Sequence, residues 1–297
     1  MCDAAHEAVV KPVAVVPADP EAFTGERIPL EPVQRVSITT LVDNSLDLLA
    51  ADMGPAHRPP LGVFPRRPAT LLEEGSVLDG PLAEHGFSAL VEVELADGAV
   101  HRLLFGTGVS PDGMVENMRR LQLPPTDADV VVCSHGHFDH TTGLEGLARQ
   151  IGRANLPVVI HPEFWSQRRL ALPGRDPFVI PTVSRGALEG AGFDIVESTQ
   201  PSFLFQRSVL ITGEVPRTTD FETGLAIHQA LRTTGWEPDP LILDDQALVV
   251  HVRDRGLVVL TGCGHAGIVN ITRYARALSG VAHVHAVLGG FHLSGPA

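Results

Sequence analysis

The sequence is poor in basic residues and carries a large excess of negative charge. Of 297 residues, 22 are Lys or Arg and 35 are Asp or Glu, so the formal net charge is −13 at pH 7. A protein that binds a nucleic acid backbone neutralises phosphates with clusters of Lys and Arg. The composition therefore predicts no nucleic acid partner and favours small or cationic ligands.

Cysteine and long apolar runs are also scarce. Cys2, Cys133 and Cys263 lie far apart and form no C-x-x-C pair, which argues against a disulfide framework or a zinc ribbon. Nowhere do about 18 apolar residues follow one another, as a membrane helix requires. The first residues, MCDAAHEAVV, lack the basic and apolar regions of an export signal. We therefore expect no membrane partner and a cytoplasmic location, and the oligomeric state stays open.

What the sequence does have is enough apolar residues, 44%, for a large core. Residues before 35 are rich in Pro and Ala without periodicity, which predicts an N-terminal arm at 1–34 and a folded domain at 35–297. Runs typical of strands lie at 36–44, 87–95, 100–106, 128–134, 156–162, 203–214, 246–254, 256–265 and 284–290, and helical spacing lies at 141–152 and 267–278. Two groups of strands, each followed by a helix, predict an α/β (α+β) fold of two β-sheets packed face to face with helices outside.

A proline-rich stretch separates the first two strand runs. It spans about 40 residues, a length that in a compact domain favours a lid or a binding loop. Its prolines are Pro55, Pro59, Pro60, Pro65 and Pro68.

The segment SHGHFDH, at 134–140, places four strong ligand groups directly after an apolar strand. His135 and His137 are two residues apart, so an extended segment turns both to one side. Asp139 and His140 follow, and four adjacent ligands crowd a single site. We therefore expect one divalent cation at the first pair and a second at the other pair, with zinc favoured and manganese or iron as alternatives.

Two cations need further ligands from distant sequence. His265 follows the strand run in GLVVLTGCGHAG and His292 follows the run in AVLGGFHL, and we predict both as metal ligands. Cys263 lies between two glycines and fits either a ligand or a small packing residue.

The pattern H-x-H-x-D-H followed by TTGL resembles the metallo-β-lactamase superfamily, which implies an αββα sandwich with metals at one edge. Flavodiiron proteins of that superfamily carry Glu where this chain has His137, so the resemblance implies a hydrolytic type of site. Longer stretches resemble one subgroup, the 7,8-dihydropterin-6-methyl-4-(β-D-ribofuranosyl)aminobenzene 5′-phosphate synthases. These stretches are LVDN at 41–44, EHGFSALVEV at 84–93, SHGHFDHTTGL at 134–144, GEVPRTTDFE at 213–222, DDQALVV at 244–250, TGCGHAGIVN at 261–270 and GGFHL at 289–293.

The resulting hypothesis is a dinuclear-metal-dependent hydrolase of a small-molecule ester, lactone or phosphoester, in which metal-bound water attacks and Asp139 is the catalytic residue. Arg217 is a candidate for binding a substrate phosphate or carboxylate, and Glu84 and His85 for further substrate contacts. The subgroup implies an alternative, a metal-assisted transferase that joins a dihydropterin-methyl diphosphate to ribofuranosylaminobenzene 5′-phosphate.

Two departures from the family pattern keep a third alternative open, a degenerate binding protein without activity. Relatives have Asp in the L-F-D-T-G turn, where it supports the histidine loop, and this chain has Gly106 in LLFGTG. Loss of such a carboxylate commonly weakens metal affinity or activity about 10- to 100-fold. Relatives also continue past G-G-F-H-L, whereas this chain stops at Ala297.

Overall fold

The computed structural model describes residues 16–17, 29–152 and 155–292. The elements alternate between short strands and short helices, as the sequence predicts. Among the helices of these ranges, none is both long and apolar enough to cross a bilayer.

The strands are mostly three to eight residues long. They are β1 (Val16–Pro17), β2 (Arg35–Val42), β3 (Arg66–Pro68), β4 (Ser76–Leu78), β5 (Ser88–Glu94), β6 (Val100–Phe105), β7 (Val130–Val132), β8 (Leu156–Ile160), β9 (Arg168–Leu170), β10 (Phe178–Val179), β11 (Phe193–Glu197), β12 (Ser202–Leu204), β13 (Val209–Ile211), β14 (His228–Arg232), β15 (Gly235–Pro238), β16 (Leu248–Val252), β17 (Gly256–Leu260) and β18 (Val284–Leu288). The α-helices are α1 (Gly113–Arg120), α2 (Phe138–Thr141), α3 (Leu144–Ile151), α4 (Arg185–Gly190) and α5 (Ile268–Ser279), and 3-10 turns lie at Leu61–Val63, Pro125–Asp127 and Pro162–Trp165.

Two six-stranded mixed sheets form the centre of the fold. The first has the order β11-β8-β7-β6-β5-β2, parallel from β11 to β6 and antiparallel beyond. The second has the order β1-β12-β13-β16-β17-β18 and is antiparallel except for its last pair. Inward side chains of both sheets, among them Val91, Leu103, Val250 and Leu260, are buried in one shared apolar cluster.

Helices cover the outer faces of both sheets. Met118 of α1 and Leu147 of α3 pack with Leu104 of the first sheet. Ile271 of α5 packs with Val259 of the second sheet. The predicted αββα sandwich is therefore confirmed.

A third sheet was not predicted. It has the order β10-β9-β14-β15 and is antiparallel throughout. In sequence, β9 and β10 lie between β8 and β11 of the first large sheet, and β14 and β15 lie between β13 and β16 of the second. Its strands are short and rich in charged residues, so no apolar alternation indicates them. This small sheet brings Arg168 of β9 and His228 of β14 towards the end of the sandwich that carries SHGHFDH.

One predicted strand is in fact a hairpin. The run at 203–214 forms β12 and β13, joined by a turn in which Phe205, Gln206 and Arg207 have φ of 51°, 56° and 70°. The turn contains none of the Gly, Asn or Asp residues that favour left-handed backbone, so the sequence does not indicate it.

Most of the predicted N-terminal arm lies outside the described residues. The part from residue 29 onward joins the core: Val33 is 0% exposed, its N–H donates to His251 O at 2.8 Å, and its carbonyl accepts from Arg253 N at 2.9 Å. This segment extends the second sheet alongside β16.

The proline-rich stretch is fixed against α1. Asp79 is 4% exposed and pairs with Arg119 at 2.7 Å and Arg120 at 3.5 Å. The Asn117 amide donates to Leu82 O at 2.8 Å. The stretch then leads into His85, so its last residues reach the edge of the sandwich where β7 ends.

Candidate metal centre

The SHGHFDH loop follows β7 and is held by backbone contacts. Gly136 N donates to Asp244 Oδ2 at 2.7 Å. A Cβ at position 136 would lie 2.3 Å from Phe164 O, which explains why the motif has glycine there. The loop is therefore fixed at Gly136, and the His135 and His137 side chains on either side of it are buried.

Three predicted ligands come together in a buried group. The ring centroids of His135, His137 and His265 lie 4.6, 4.8 and 4.9 Å apart. Nδ1 of His137 is 3.2 Å from Nε2 of His265. Burial lowers the pKa of all three imidazoles well below its usual range. They are therefore neutral, which is the form that binds metals.

A second group contains Asp139, His140 and Cys263. Nε2 of His140 lies 3.3 Å from Asp139 Oδ2 and 3.0 Å from Cys263 Sγ. Burial alone would lower the pKa of His140, but Cys263 and Asp139 outweigh it and raise that pKa above its usual value. Burial opposes the Asp139 charge, yet His140 and its neighbours hold the pKa of that carboxyl below its usual range.

Two more predicted residues lie at the rim. The His292 ring is 4.4 Å from the His265 ring, centroid to centroid. His85 Nε2 is 3.6 Å from Asp139 Oδ2, and His85 Nδ1 pairs with Asn44 Oδ1 at 2.8 Å. Both rings are exposed on one side, so they can meet a ligand that enters from solvent.

Unpartnered atoms indicate what these groups can hold. Within the described ranges, His135 Nε2 and Asp245 Oδ1 are buried without a hydrogen-bond partner. His137 Nε2 and His140 Nδ1 also lack one in these ranges, but the other nitrogens of these two rings, Nδ1 and Nε2, are the ones that lie near the remaining donors. Buried polar atoms are normally satisfied, and nitrogen, thiolate and carboxylate donors at this spacing suit zinc and related divalent ions. The residues present therefore fit a metal site.

A buried ionic network supports the loop from behind. Arg168 is 1% exposed and donates to Asp244 at 2.6 and 3.1 Å and to Asp239 at 2.8 Å. Asp244 in turn accepts from Gly136. Asp245 lies 3.8 Å from His135 Nδ1, and burial raises its pKa to about 7.

The departure at Gly106 lies directly beside His140. A Cβ at position 106 would be 3.8 Å from His140 Nδ1, the atom that lacks a partner, and 2.7 Å from Phe87 O. The backbone there has φ of 69°, which disfavours most side chains. An aspartate at this position would thus accept from His140, at the expense of a tight contact with Phe87.

Two predicted substrate-binding residues have partners in the protein. Glu84 accepts from Ser110 N at 3.2 Å and from the Ser110 hydroxyl, and its carboxylate lies beside Gly113 at the start of α1. Arg217 donates through Nη2 to Leu241 O, while its Nε and Nη1 are buried and have no hydrogen-bond partner in the described part of the chain. The structure therefore does not bring Glu84 into the ligand cluster, whereas Arg217 acts electrostatically on Asp245 beside it.

His228 is a candidate that the sequence analysis missed. It is 3% exposed, and its ring centroid is 5.1 Å from His137 and 5.3 Å from His265. Burial lowers its pKa to about 4, and its Nδ1 has no partner among the described residues. The neighbouring sequence AIHQALR contains no other ligand type, so only the small sheet reveals this position.

Comparison with known proteins identifies relatives that match most of the chain. The family model of the metallo-beta-lactamase superfamily matches residues 83–278. The 7,8-dihydropterin-6-methyl-4-(beta-D-ribofuranosyl)-aminobenzene-5'-phosphate synthase of Methanocaldococcus jannaschii is 31% identical over 232 residues, which cover 75% of this chain and 76% of that protein. An uncharacterized protein of the same organism is 29% identical over 213 residues, 72% of this chain and 74% of its own.

Among solved structures, an N-acyl homoserine lactone lactonase matches 88% of this chain and 93% of its own, with a TM-score of 0.43 and 14% identity. The Rm3 metallo-beta-lactamase matches 60% of this chain and 56% of its own, with a TM-score of 0.32 and 17% identity. The family model and the 31% identical relative confirm the resemblance seen in the sequence. The chain belongs to the metallo-beta-lactamase superfamily.

Proposed function

We propose that the protein is a dinuclear-metal-dependent hydrolase of a small-molecule ester, lactone or phosphoester. The observation that carries the proposal is the convergence of two donor groups, His135 with Cys263 and His265, and Asp139 with His140 and Cys263, in each of which the ligand atoms lie within 4.8 Å of one another. When bound, two divalent cations at such a site polarise a substrate oxygen and supply a nucleophile at neutral pH. The chain then needs no nucleophilic serine or cysteine.

The residues divide into roles by position. His135, His137 and His265 are proposed to hold one cation, zinc before manganese or iron, and Asp139, His140 and His292 the other. Asp139 is the proposed catalytic residue, because its carboxylate lies within reach of both His140, at 3.3 Å, and the solvent-facing His85, at 3.6 Å. His85 then contacts the substrate at the rim. Glu84 is proposed to act on substrate only through the loop that it fixes to Ser110.

A transferase is the second candidate, and one observation favours it: the 31% identical relative is named as a synthase. The same donor groups suit displacement of diphosphate by an amine. The two reactions differ in acceptor, so analysis of products formed in water with and without an arylamine separates them.

Metal content is the first test of this proposal. We expect protein purified without chelator to contain about two equivalents of divalent metal, as dinuclear hydrolases do. We also expect it to hydrolyse members of a panel of lactones, aryl esters and phosphodiesters. A chelator should abolish turnover and zinc or manganese should restore it. Protein with near-zero metal that binds none when supplied would contradict the proposal and favour the binding-protein alternative.

Arg217 provides a test of substrate charge. Its segment is fixed to the start of α5, where Glu222 accepts from Val269 N at 2.7 Å and Asn270 N at 2.8 Å. Its two unpartnered nitrogens are proposed to bind a substrate anion. A hydrogen bond to a charged group contributes about 1.5–3 kcal/mol. We expect Arg217→Met to raise KM for a phosphorylated substrate at least about 10-fold.

The matched control for Arg217→Met is a neutral ester of the same alcohol, for which KM should change by less than about twofold, since no charged hydrogen bond is lost. An equal rise for both substrates would instead assign Arg217 to the support of Asp245.

A further inference from the structure

The thiol of Cys263 lies between the two donor groups. Together with His135 and His265 it forms one set whose ligand atoms lie within 4.8 Å of one another, and with Asp139 and His140 it forms another. Within the described ranges, no carboxylate belongs to both sets. Cys263 is thus the shared member, and its Sγ lies 3.0 Å from His140 Nε2.

The glycines on both sides of Cys263 allow its backbone to approach two neighbouring loops closely. A Cβ at Gly262 would lie 2.1 Å from Ser134 Oγ and 3.4 Å from His135 Nδ1. Gly264 has φ of 68°, and a Cβ there would lie 2.9 Å from Gly290 O. The two glycines allow the chain to pass between the SHGHFDH loop and the loop that follows β18. The sulfur thereby reaches the donors of both sets.

An apolar packing role does not fit these surroundings. The neighbours of Cys263 in both sets are ionisable groups, and among the described residues one of them, His135, has a buried Nε2 without a hydrogen-bond partner. Cys133 shows the contrast, because it packs in the apolar cluster beneath α1 and α3.

We propose that Cys263 binds as a thiolate and bridges the two cations. This inference rests on the proposed dinuclear site. On binding, the S–H bond breaks, its proton passes to solvent, and the sulfur uses separate lone pairs for one bond to each cation. No electron transfer is involved. The bridge would take the place that a shared carboxylate could otherwise occupy.

Cobalt titration tests the bridge without a substrate. Co(II) is added to metal-free full-length protein while near-ultraviolet thiolate-to-cobalt absorption and bound cobalt are measured. We expect the band to grow through both the first and the second equivalent. Cys263→Ser should lose the band. The affinity for both cobalt equivalents should fall by more than about 10-fold, because loss of a group that merely hydrogen-bonds to a metal ligand commonly costs at least that much.

The matched control is the double variant Cys2→Ala/Cys133→Ala. Since the sequence has three cysteines, it leaves Cys263 as the one thiol, and the band should persist. A band that stops growing after one equivalent would overturn the bridge, because the sulfur would then bind one cation. Two equivalents bound without a band would overturn it while leaving the dinuclear proposal intact. Protein that binds no cobalt would contradict both proposals.

Discussion

Replacing His137 by alanine is expected to reduce the bound metal from about two equivalents to about one or fewer and to lower kcat by more than roughly 100-fold. His137 Nδ1 lies 3.2 Å from His265 Nε2, so its loss leaves the first cation with His135 and His265 from its proposed histidine set. Loss of a residue that only hydrogen-bonds to a metal ligand already lowers metal affinity or activity about 10- to 100-fold, and loss of a ligand itself should lower them further. Plasma mass spectrometry and turnover on an identified substrate measure the two effects.

The fold should survive this change. Nε2 of His137 has no partner among the described residues, and Nδ1 pairs with His265 Nε2, so alanine removes one side-chain hydrogen bond of the metal-free protein along with the ring contacts to neighbouring histidines. We expect chelator-treated parent and variant to unfold within about 4 °C of each other. His285→Ala is the control, since this exposed histidine on β18 lies beside His283 and outside the cluster. Full activity and full metal content in His137→Ala would rule out the proposed first site.

Replacing Arg168 by methionine is expected to destabilise the metal-free protein by about 3–5 kcal/mol, because one partner of a buried charge network is removed. The change leaves the charge of Asp244 buried without its cationic partner, since Asp244 is 0% exposed and loses two hydrogen bonds of 2.6 and 3.1 Å. Asp244 also holds Gly136, so metal affinity should fall as well. Urea unfolding in chelator, read as a shift of the midpoint at constant slope, measures the loss of stability.

Arg149→Met is the matched control for the same change of side chain. Its ion pair with Asp112 also measures 2.6 Å, but the two side chains are 51% and 64% exposed. Exposed pairs contribute about 0–1 kcal/mol. If both variants lost equal stability, burial of the Arg168 network would not be what stabilises the loop.

Local pattern was enough to predict the sandwich and the motif loop. The helix expected at 267–278 is α5 (Ile268–Ser279), and the one expected at 141–152 contains α3 (Leu144–Ile151). Their apolar spacing reflects one buried face, which a sequence displays directly. The SHGHFDH loop could be predicted as a metal-binding segment for the same kind of reason, because its ligand residues are adjacent in the chain.

The missed features depend on contacts between distant segments. His228 and Arg168 reach the centre through strands of three to five residues that pair across about 60 positions of sequence, too short for a periodic signal. Cys263 was left open for a related reason: whether a thiol packs or binds depends on what faces it, here His140 from 123 positions away.

The pairing of β9 with β14 sets a rule for protein engineering. Ala230 is opposite Arg168 and His228 is opposite Leu170, so the pairing of these two strands fixes the positions of the arginine and the histidine relative to each other. Asp239 and Asp244, which accept hydrogen bonds from the arginine, follow β14 in sequence. A chimera with a relative should therefore exchange residues 162–245 whole. A recombination point inside this range would combine the arginine of one parent with the aspartates of the other, whose positions depend on a different surrounding sequence.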